Sequence, residues 1–396
     1  MNVYVRQLAA ALARSGVGVD VYTRADDPSQ PAIVTVEPGL AVHHIAAGPL
    51  TPVPKAHLPA LVAEFTDGVA TRLADGHPAE ALHANYWLSG VAGHELKHRF
   101  DLPLGATFHT LARVKSHAGV VDRGDARERD EAEAAIIGCS DVVFASCADE
   151  ADQLLGLYDA DPARIEIVPP GVDGAFFSPG SRAGARRAIG LDPATPVVLH
   201  VGRLQPLKGL DVAVEAFARL AGVTGPAGVT EAGPGPGPQL VVVGGPSGPD
   251  GVDYVAAVRA QVARLGLTDR VQWRAPQPHE LLASYYRAAE VVLVPSQSES
   301  FGLVALEAAA CGAPVVATAV GGLHTLVLDG TTGYLRPRRP GAFADAADRV
   351  LGDTALAARM GQAAARHARS FTWGAAAQRV TGLFSELTDR VLVACS

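Results

Sequence analysis

Two acidic residues, Glu299 and Glu307, bracket the segment Ser300-Phe301-Gly302-Leu303, and a second polar segment, Gly202-Arg203-Leu204-Gln205-Pro206-Leu207-Lys208-Gly209, carries two cations. The apolar run Val291 to Val294 ends at Pro295, so Glu299 falls on a polar loop after a strand. A helix opening at about Phe301 and closing at Gly312, before Pro314, follows. Its start leaves backbone N–H groups around Ser300 to Leu303 without helical partners, which is where a phosphate binds. Glu307 lies about two turns in, so both carboxylates can address one ligand, one on ribose hydroxyls and the other on a sugar. The competing reading makes Glu299 a cap and Glu307 a solvated face residue. Arg203 and Lys208 sit on a proline-containing loop at a strand's carboxyl end, where two cations can converge on a diphosphate. A solvated basic loop is the alternative. The whole chain holds only four lysines, Lys55, Lys97, Lys115 and Lys208, which favours the ligand reading of Lys208.

Short β-rich runs alternate with longer Ala/Leu-rich segments. In the first half the strands are expected at Gly18 to Thr23, Leu40 to Ile45, Ala81 to Tyr86, Leu104 to Phe108, Asp141 to Ala145 and Ile165 to Val168. In the second half they fall at Pro196 to Val201, Leu240 to Val243, Val271 to Arg274, Val291 to Val294 and Pro314 to Ala317. That alternation predicts an α/β protein with parallel sheets, covered on both faces, that bind ligands at the strands' carboxyl ends. Turn-formers at Pro169-Pro170-Gly171-Val172-Asp173 and Phe177-Ser178-Pro179-Gly180-Ser181 precede a helix at Arg182 to Ala188 and set the boundary. The expected domains are 1–178 and 179–370, with a helix in 371–396 crossing back to the first. Thr224 to Pro238, with its alternating Gly and Pro, reads as a surface insertion. Asp159-Ala160-Asp161 follows a helix and reads as ordinary turn chemistry.

At 396 residues, 48% apolar and 19% charged, the chain suits two packed domains. A net charge of -8 argues against a nucleic-acid or anionic-membrane partner. No apolar run approaches the ~20 residues of a membrane span, and no export signal is visible, so a cytoplasmic protein is expected. Cys139, Cys147, Cys311 and Cys395 are scattered, with no CxxC pair and no adjoining histidine cluster, and read as reduced buried thiols.

Gly202-Arg203 with Lys208-Gly209, Glu299-Ser300-Phe301-Gly302-Leu303 with Glu307, and Gly321-Gly322 after a strand together resemble the retaining GT-B glycosyltransferases of family 4. The resemblance covers essentially the whole chain. It implies two Rossmann-like doubly wound domains facing each other across a cleft. More narrowly, Met1-Asn2-Val3-Tyr4-Val5, Tyr86-Trp87-Leu88-Ser89-Gly90, His109-Thr110-Leu111-Ala112, Pro169-Gly171-Val172-Asp173 and Gly244-Gly245-Pro246-Ser247-Gly248 are similar to the branch serving mycothiol biosynthesis. That branch moves GlcNAc from UDP-GlcNAc to 1D-myo-inositol 3-phosphate.

The resemblance implies roles by position. Arg203 and Lys208 hold the UDP diphosphate, Glu307 the ribose, and the backbone near Gln277 the uracil. Glu299 contacts the sugar hydroxyls, and the amides of Ser300, Phe301, Gly302 and Leu303 complete the phosphate site. Asn2, Lys55, Tyr86, Thr110 and Arg129 surround inositol phosphate, with His109 close to the transferred sugar. Taken without the resemblance, Tyr86 reads as a rim aromatic, Arg129 as a salt-bridged helix residue and His109 as a satisfied histidine. Catalysis needs no cofactor on this reading. A structural magnesium would rest on backbone groups of Tyr286, Arg287, Ala289 and Ala313, and alanine at 313, where close relatives usually carry threonine, weakens that site.

Transfer with retention implies an oxocarbenium-like transition state attacked from the face that UDP leaves. Nothing supports a hydrolase-like carboxylate pair. The chain opens within a helix, at Met1-Asn2-Val3-Tyr4, where the resemblance implies a preceding strand and Gly-rich loop. A start assigned too late is the expected cause, and a degenerate paralogue the other. The alternatives carried forward are another family 4 transferase, of sucrose-phosphate-synthase or mannosyl type, and a nucleotide-sugar-binding protein without turnover. The oligomeric state, a homodimer among the options, stays open.

Overall fold

The computed structural model describes residues 2–75, 78–117, 119, 126–222, 237–248, 250–388 and 390–395. The insertion expected at Thr224 to Pro238 therefore lies outside the described residues except for its last two. The chain forms two units, Met1–Gly171 with Trp373–Ser396, and Val172–Thr372. The boundary falls at Gly171/Val172 and not near residue 178. The reason is local: Phe177 packs edge-on against His279 and tilted against Tyr286, and Arg287 Nε donates to Ser178 O at 2.7 Å, which ties residues 176–178 to the second unit.

The first unit contains β1 (Val19–Arg24), β2 (Ile33–Glu37), β3 (Leu40–Ile45), β4 (Leu82–Asn85), β5 (Leu104–Thr107), β6 (Val142–Ala145) and β7 (Ile165–Ile167). Its helices are α1 (Asn2–Arg14), α2 (Val62–Ala74), α3 (Trp87–Phe100), α4 (Ala112–His117), α5 (Ala126–Cys139) and α6 (Ala148–Tyr158). The strands form two sheets, β1-β3-β2 and the all-parallel β4-β5-β6-β7. The edge strand β2 was not expected from sequence. It runs antiparallel to β3 with Ile33, Val34 and Val36 exposed, so it lacks the alternation that marks a half-buried strand.

The second unit holds β8 (Val197–Val201), β9 (Gln239–Val243), β10 (Val271–Arg274), β11 (Val291–Val294), β12 (Val315–Thr318) and β13 (Gly333–Arg336). Around them lie α7 (Arg182–Ala188), α8 (Leu210–Leu220), α9 (Gly251–Arg264), α10 (His279–Ala288), α11 (Leu303–Ala310), α12 (Leu323–Leu326), α13 (Pro340–Gly352) and α14 (Thr354–Ala368). The strand order is β10-β9-β8-β11-β12-β13, parallel throughout. This is the doubly wound order 3-2-1-4-5-6, whose direction reverses between β8 and β11 and whose ligands bind outside that pair. Both strands are near-continuous valine and leucine runs buried on both faces, as a parallel sheet demands. Phe217, Leu240, Leu293 and Phe343 pack the core without exposure, each contributing about 1.5–3 kcal/mol. The α15 helix (Trp373–Thr388) belongs to the first unit, where Trp373, Ala377 and Val380 pack with Tyr4, Leu8 and Phe144.

Asp159 terminates α6 in a left-handed conformation, and Asp161 accepts from Ala163 N at 2.9 Å, so the pair does the turn work expected of it. The cysteines depart from expectation. Cys147 and Cys311 are free and buried, but Cys139 and Cys395 come together, with Cα atoms 5.4 Å apart and placed for a disulfide.

Candidate active site

In the second unit the switch-point strands deliver the two polar segments to one place. After β8 the chain passes through Gly202 and Arg203 into a 3-10 turn, Pro206–Lys208, and after β11 it enters the 295–302 loop. Gln297 N donates to Leu207 O at 2.8 Å, so the two loops are joined by backbone. Lys208 Nζ then reaches Glu299 Oε2 at 2.5 Å, and Ser296 Oγ donates to the same oxygen at 3.1 Å. The pair is only about one fifth exposed, at 21% for the lysine side chain and 17% for the glutamate. Arg203 stands exposed beside it and makes no hydrogen bond or ion pair among the described residues.

Two glycines make this convergence possible. Gly209 has φ 68, and a Cβ there would run into Pro295 O; Gly321 has φ 50, and a Cβ there would meet Glu299 O. Either side chain would push apart the loops that carry Lys208 and Glu299.

The α11 helix starts two residues later than expected, at Leu303, because Gly302 takes φ 104 and caps it. Its first-turn N–H groups have no acceptor within the helix, and Gly302 at the cap has no side chain to offer one. Phe301 is a core residue packed edge-on against Phe371, so it can offer a ligand its backbone alone. The helix also ends earlier than expected, at Ala310, with Cys311 as its cap.

Glu307 is not the solvated face residue of the competing reading. It is buried, its Oε2 accepts from Tyr286 Oη at 2.7 Å, and burial pushes its carboxyl up to about 7. The Gln277 side chain bonds Ala275 O at 2.9 Å and closes its own loop.

Among the residues expected to hold magnesium, the Tyr286 phenol is committed to Glu307 and its carbonyl accepts from Ala289 N. The Arg287 guanidinium is bound to Ser178 O and Phe176 O, and Ala313 offers only its backbone, with its N–H given to Ala308 O. A hard cation wants six or more oxygens, carboxylates among them. This set brings no carboxylate and only backbone carbonyls, of which that of Tyr286 already accepts from Ala289 N, so it does not supply the shell of a hard cation.

The first unit gathers a second set at the carboxyl ends of the paired strands β4 and β5. Tyr86 follows β4 with φ 81 and His109 follows β5 with φ 62, both in the region that disfavours side chains. Such strain, about 1–3 kcal/mol per residue, concentrates at functional positions. Lys55 Nζ lies 5.4 Å from the centre of the Tyr86 ring and the Arg129 guanidinium 5.1 Å from it. Arg129 also donates to Thr110 O at 2.6 Å and Thr110 Oγ1 at 3.1 Å. Lys55, Tyr86, Thr110 and Arg129 thus form one constellation, assembled from four separate segments. The Tyr86 hydroxyl is enclosed and finds no partner among the described residues.

Arg129 is no solvated helix residue. It is buried and paired at 2.6 Å with Glu133, which also accepts from Ala112 N at 2.8 Å and Tyr158 Oη at 2.5 Å. His109 Nε2 meets Asn85 Oδ1 at 3.0 Å, which sets the proton on Nε2 and a lone pair on Nδ1. Burial depresses its imidazole to about 3, with His83 adding to the effect, so the ring is neutral. The Tyr4 ring contacts His109 edge-on at 4.8 Å, and Asn2 opens the same helix, exposed.

Three supports escaped sequence reading. Arg338 donates to Pro295 O at 3.0 Å and Pro206 O at 3.4 Å, clasping both loops. Asn85 orients His109, and Glu133 holds Arg129. Arg338 and Asn85 stand at no diagnostic spacing from what they serve, whereas Glu133 sits four residues after Arg129, the ordinary helix ion-pair spacing.

A doubly wound sheet with a carboxylate, two cations and a helix start at its switch point is the arrangement in which α/β proteins take phosphorylated ligands. The Glycosyl transferases group 1 family matches residues 181–367, and the Glycosyl transferase 4-like domain matches residues 1–171. A D-inositol 3-phosphate glycosyltransferase of Mycobacteroides abscessus is 44% identical over 95% of this chain and 82% of its own. One from Acidothermus cellulolyticus is 43% identical over 98% and 85%. Among solved structures, a sucrose-phosphate synthase from Thermosynechococcus elongatus superposes with a TM-score of 0.87 at 34% identity, covering 98% of this chain and 93% of that one. HepE of Anabaena, solved with UDP and glucose, shares the fold, with a TM-score of 0.71 at 21% identity over 88% and 87%. The chain belongs to family 4 of the GT-B glycosyltransferases.

Proposed function

We propose that this glycosyltransferase moves GlcNAc from UDP-GlcNAc to 1D-myo-inositol 3-phosphate with retention of configuration. The observation that carries the reading is the donor set at the switch point: exposed Arg203, and Lys208 ion-paired to Glu299 across the two loops. The two curated relatives above, named for transfer to inositol 3-phosphate, supply the acceptor. The cations Lys55 and Arg129, both set over the Tyr86 ring, suit a phosphorylated polyol.

In this scheme Arg203, Lys208 and the amides of residues 300–303 bind the diphosphate, and Glu307 and the Gln277 backbone hold the nucleoside. When the diphosphate arrives, Lys208 turns toward it and Glu299 is freed for the sugar hydroxyls. The bond from the anomeric carbon to the phosphate oxygen breaks, and the acceptor hydroxyl bonds to that carbon on the same face. Its proton passes to the departing phosphate oxygen. The neutral His109 serves as a hydrogen-bonding wall beside the sugar. Arg203, Lys208 and the amides stabilise the charge growing on the leaving group, each such donor contributing about 3 to 4 kcal/mol. Nothing in the scheme routes through a metal. Nucleotide sugars are held in the cytoplasm, and we place the reaction there.

The test is release of UDP from UDP-GlcNAc with inositol 3-phosphate as acceptor, with the anomeric configuration of the product read by NMR. An α-linked product is expected, and no UDP release overturns the reading. The sucrose-phosphate synthase likeness favours a second reading, so the substrates of that reaction belong in the same assay. Turnover with them, and none with inositol phosphate, selects it. UDP binding without turnover on any acceptor selects a binding protein.

A further inference from the structure

Away from both substrate sets, four side chains of the first unit converge on one point. His94 and His98 are four residues apart on α3, and so share a helix face. Cys139 closes α5, and Cys395 comes from the segment after α15. One ligand atom from each lies within 4.8 Å of all the others. His98 Nε2 is 3.1 Å from Cys395 Sγ and 3.4 Å from Cys139 Sγ, and His94 Nε2 is 3.6 Å from Cys395 Sγ. The two imidazole rings are 5.1 Å apart at 57° and do not stack.

We propose that these four side chains form a structural Cys2His2 site for Zn(II). In a tetrahedron with Zn–S and Zn–N bonds near 2.3 and 2.0–2.1 Å, nitrogen and sulfur ligands stand about 3.5 Å apart. The three nitrogen–sulfur separations, 3.1 to 3.6 Å, straddle that value. A disulfide between Cys139 and Cys395 would use the same sulfurs, but it gives no reason for two histidine Nε2 atoms to be aimed at them. Zinc uses all four. Binding takes one proton from each thiol, leaves both imidazoles neutral, and balances the 2+ ion with two thiolates, with no change of oxidation state. A borderline-soft ion with no geometric preference of its own suits mixed sulfur and nitrogen donors better than calcium or magnesium does.

The surroundings are built for the job. Lys97, between the two histidines, is buried and donates to Cys139 O at 2.9 Å and Asp141 Oδ2 at 2.7 Å. Asp141 Oδ2 also accepts from Leu104 N at 2.8 Å, and its Oδ1 accepts from Val393 N at 2.7 Å. One buried ion pair therefore fixes both cysteine-bearing segments before any metal arrives, in the way outer partners orient metal ligands. His98 is exposed and leaves the ion a way in. With ligands 256 residues apart in sequence, zinc here would pin the C-terminal segment to α3 and α5. None of the four residues has a part in the proposed transfer, so the site stands or falls apart from that reading.

The experiment uses the full chain purified under a phosphine reductant. Bound zinc is measured by mass spectrometry, and Co(II) is then exchanged in. One zinc per chain is expected, with the visible bands and thiolate charge transfer of tetrahedral cobalt. Cys395→Ser and His94→Ala should each lose the metal, and Cys147→Ser should keep it. Chelation should lower the Tm of the wild type and leave that of Cys395→Ser unchanged. The cobalt spectrum is read on unaltered protein, so misfolding of a variant does not blur the result. A reduced wild type that takes up neither metal, or a Cys395→Ser protein that binds zinc as the wild type does, overturns the proposal. So does a Cys139–Cys395 disulfide that persists in the reductant.

Discussion

The Lys208–Glu299 pair makes opposite predictions for its two partners. Lys208→Ala removes one donor from the growing charge on the leaving diphosphate, a loss of about 3 to 4 kcal/mol, or about 10²- to 10³-fold in kcat. Glu299 keeps Ser296 Oγ as a partner at 3.1 Å and is partly open to water, so the fold should survive with a stability change within about 1 kcal/mol. Glu299→Gln acts the other way on binding. In the resting protein Lys208 is held by Glu299, and UDP must draw it away. Exposures of 21% and 17% put the pair near the surface regime, where an ion pair contributes up to about 1 kcal/mol. Neutralising Glu299 should therefore tighten UDP by up to about fivefold. Turnover should fall in the same variant, because the sugar loses a charged acceptor. Calorimetric titration with UDP and steady-state kinetics read the two effects separately. If Glu299→Gln weakens UDP as much as Lys208→Ala does, or Lys208→Ala turns over within a few-fold of the wild type, the pair is scaffolding and the reasoning fails.

Lys55→Ala removes an exposed cation from the Tyr86 constellation, and it should raise KM for inositol 3-phosphate about 10- to 100-fold with the KM for UDP-GlcNAc and the Tm unchanged. An unaltered acceptor KM counts against the proposed phosphate position. His109 is held near 3 by burial, so it should contribute no limb to the pH–rate profile between pH 5 and 9. His109→Asn should lower the whole profile without reshaping it, and an acid limb that vanishes in this variant contradicts the neutral-ring reading. Glu307 has its carboxyl raised to about 7 by burial, against about 4.5 in an unfolded chain. In that window the folded protein keeps a proton that the unfolded one has lost, so stability should fall as pH rises from 4.5 to 7, by about 3 kcal/mol. Denaturant titrations of Glu307→Gln should show a flatter pH dependence, and an equal slope in both proteins places the effect elsewhere.

Sequence drew attention to the residues of the proposed donor site because their supports are local. A buried parallel strand such as β11 is a continuous apolar run, its end is marked by Pro295, and the helix that follows begins within a few residues of the polar loop. What failed was orientation. The α11 segment Leu-Val-Ala-Leu-Glu-Ala-Ala-Ala is apolar nearly all round, so periodicity offers no face on which to place Glu307. Its buried bond to Tyr286, contributed by a different helix, decides the matter. The strand β13 escaped for a related reason, as four residues beginning with glycine carry too little pattern.

The constellation proposed for the acceptor was beyond residue-by-residue reading. Tyr86, Arg129 and His109 each read as ordinary when taken alone, and they gain meaning from contacts made between elements: Arg129 over the Tyr86 ring and on Thr110, His109 on Asn85. The cysteine–histidine cluster marks the same boundary more sharply. Half of its signature, histidines at 94 and 98 on one helix face, was present in the sequence. Metal-site spacing rules work where folding keeps neighbours in sequence close in space. Here the thiols arrive from the end of α5 and from the last residues of the chain, brought together through the Lys97–Asp141 pair and its bond to Val393. The same buried ion pair that hides the cluster from sequence reading holds it together, so Asp141→Asn, which weakens the clamp and replaces no ligand, should loosen zinc. Zinc retention equal to wild type in that variant would show that the ligands need no clamp.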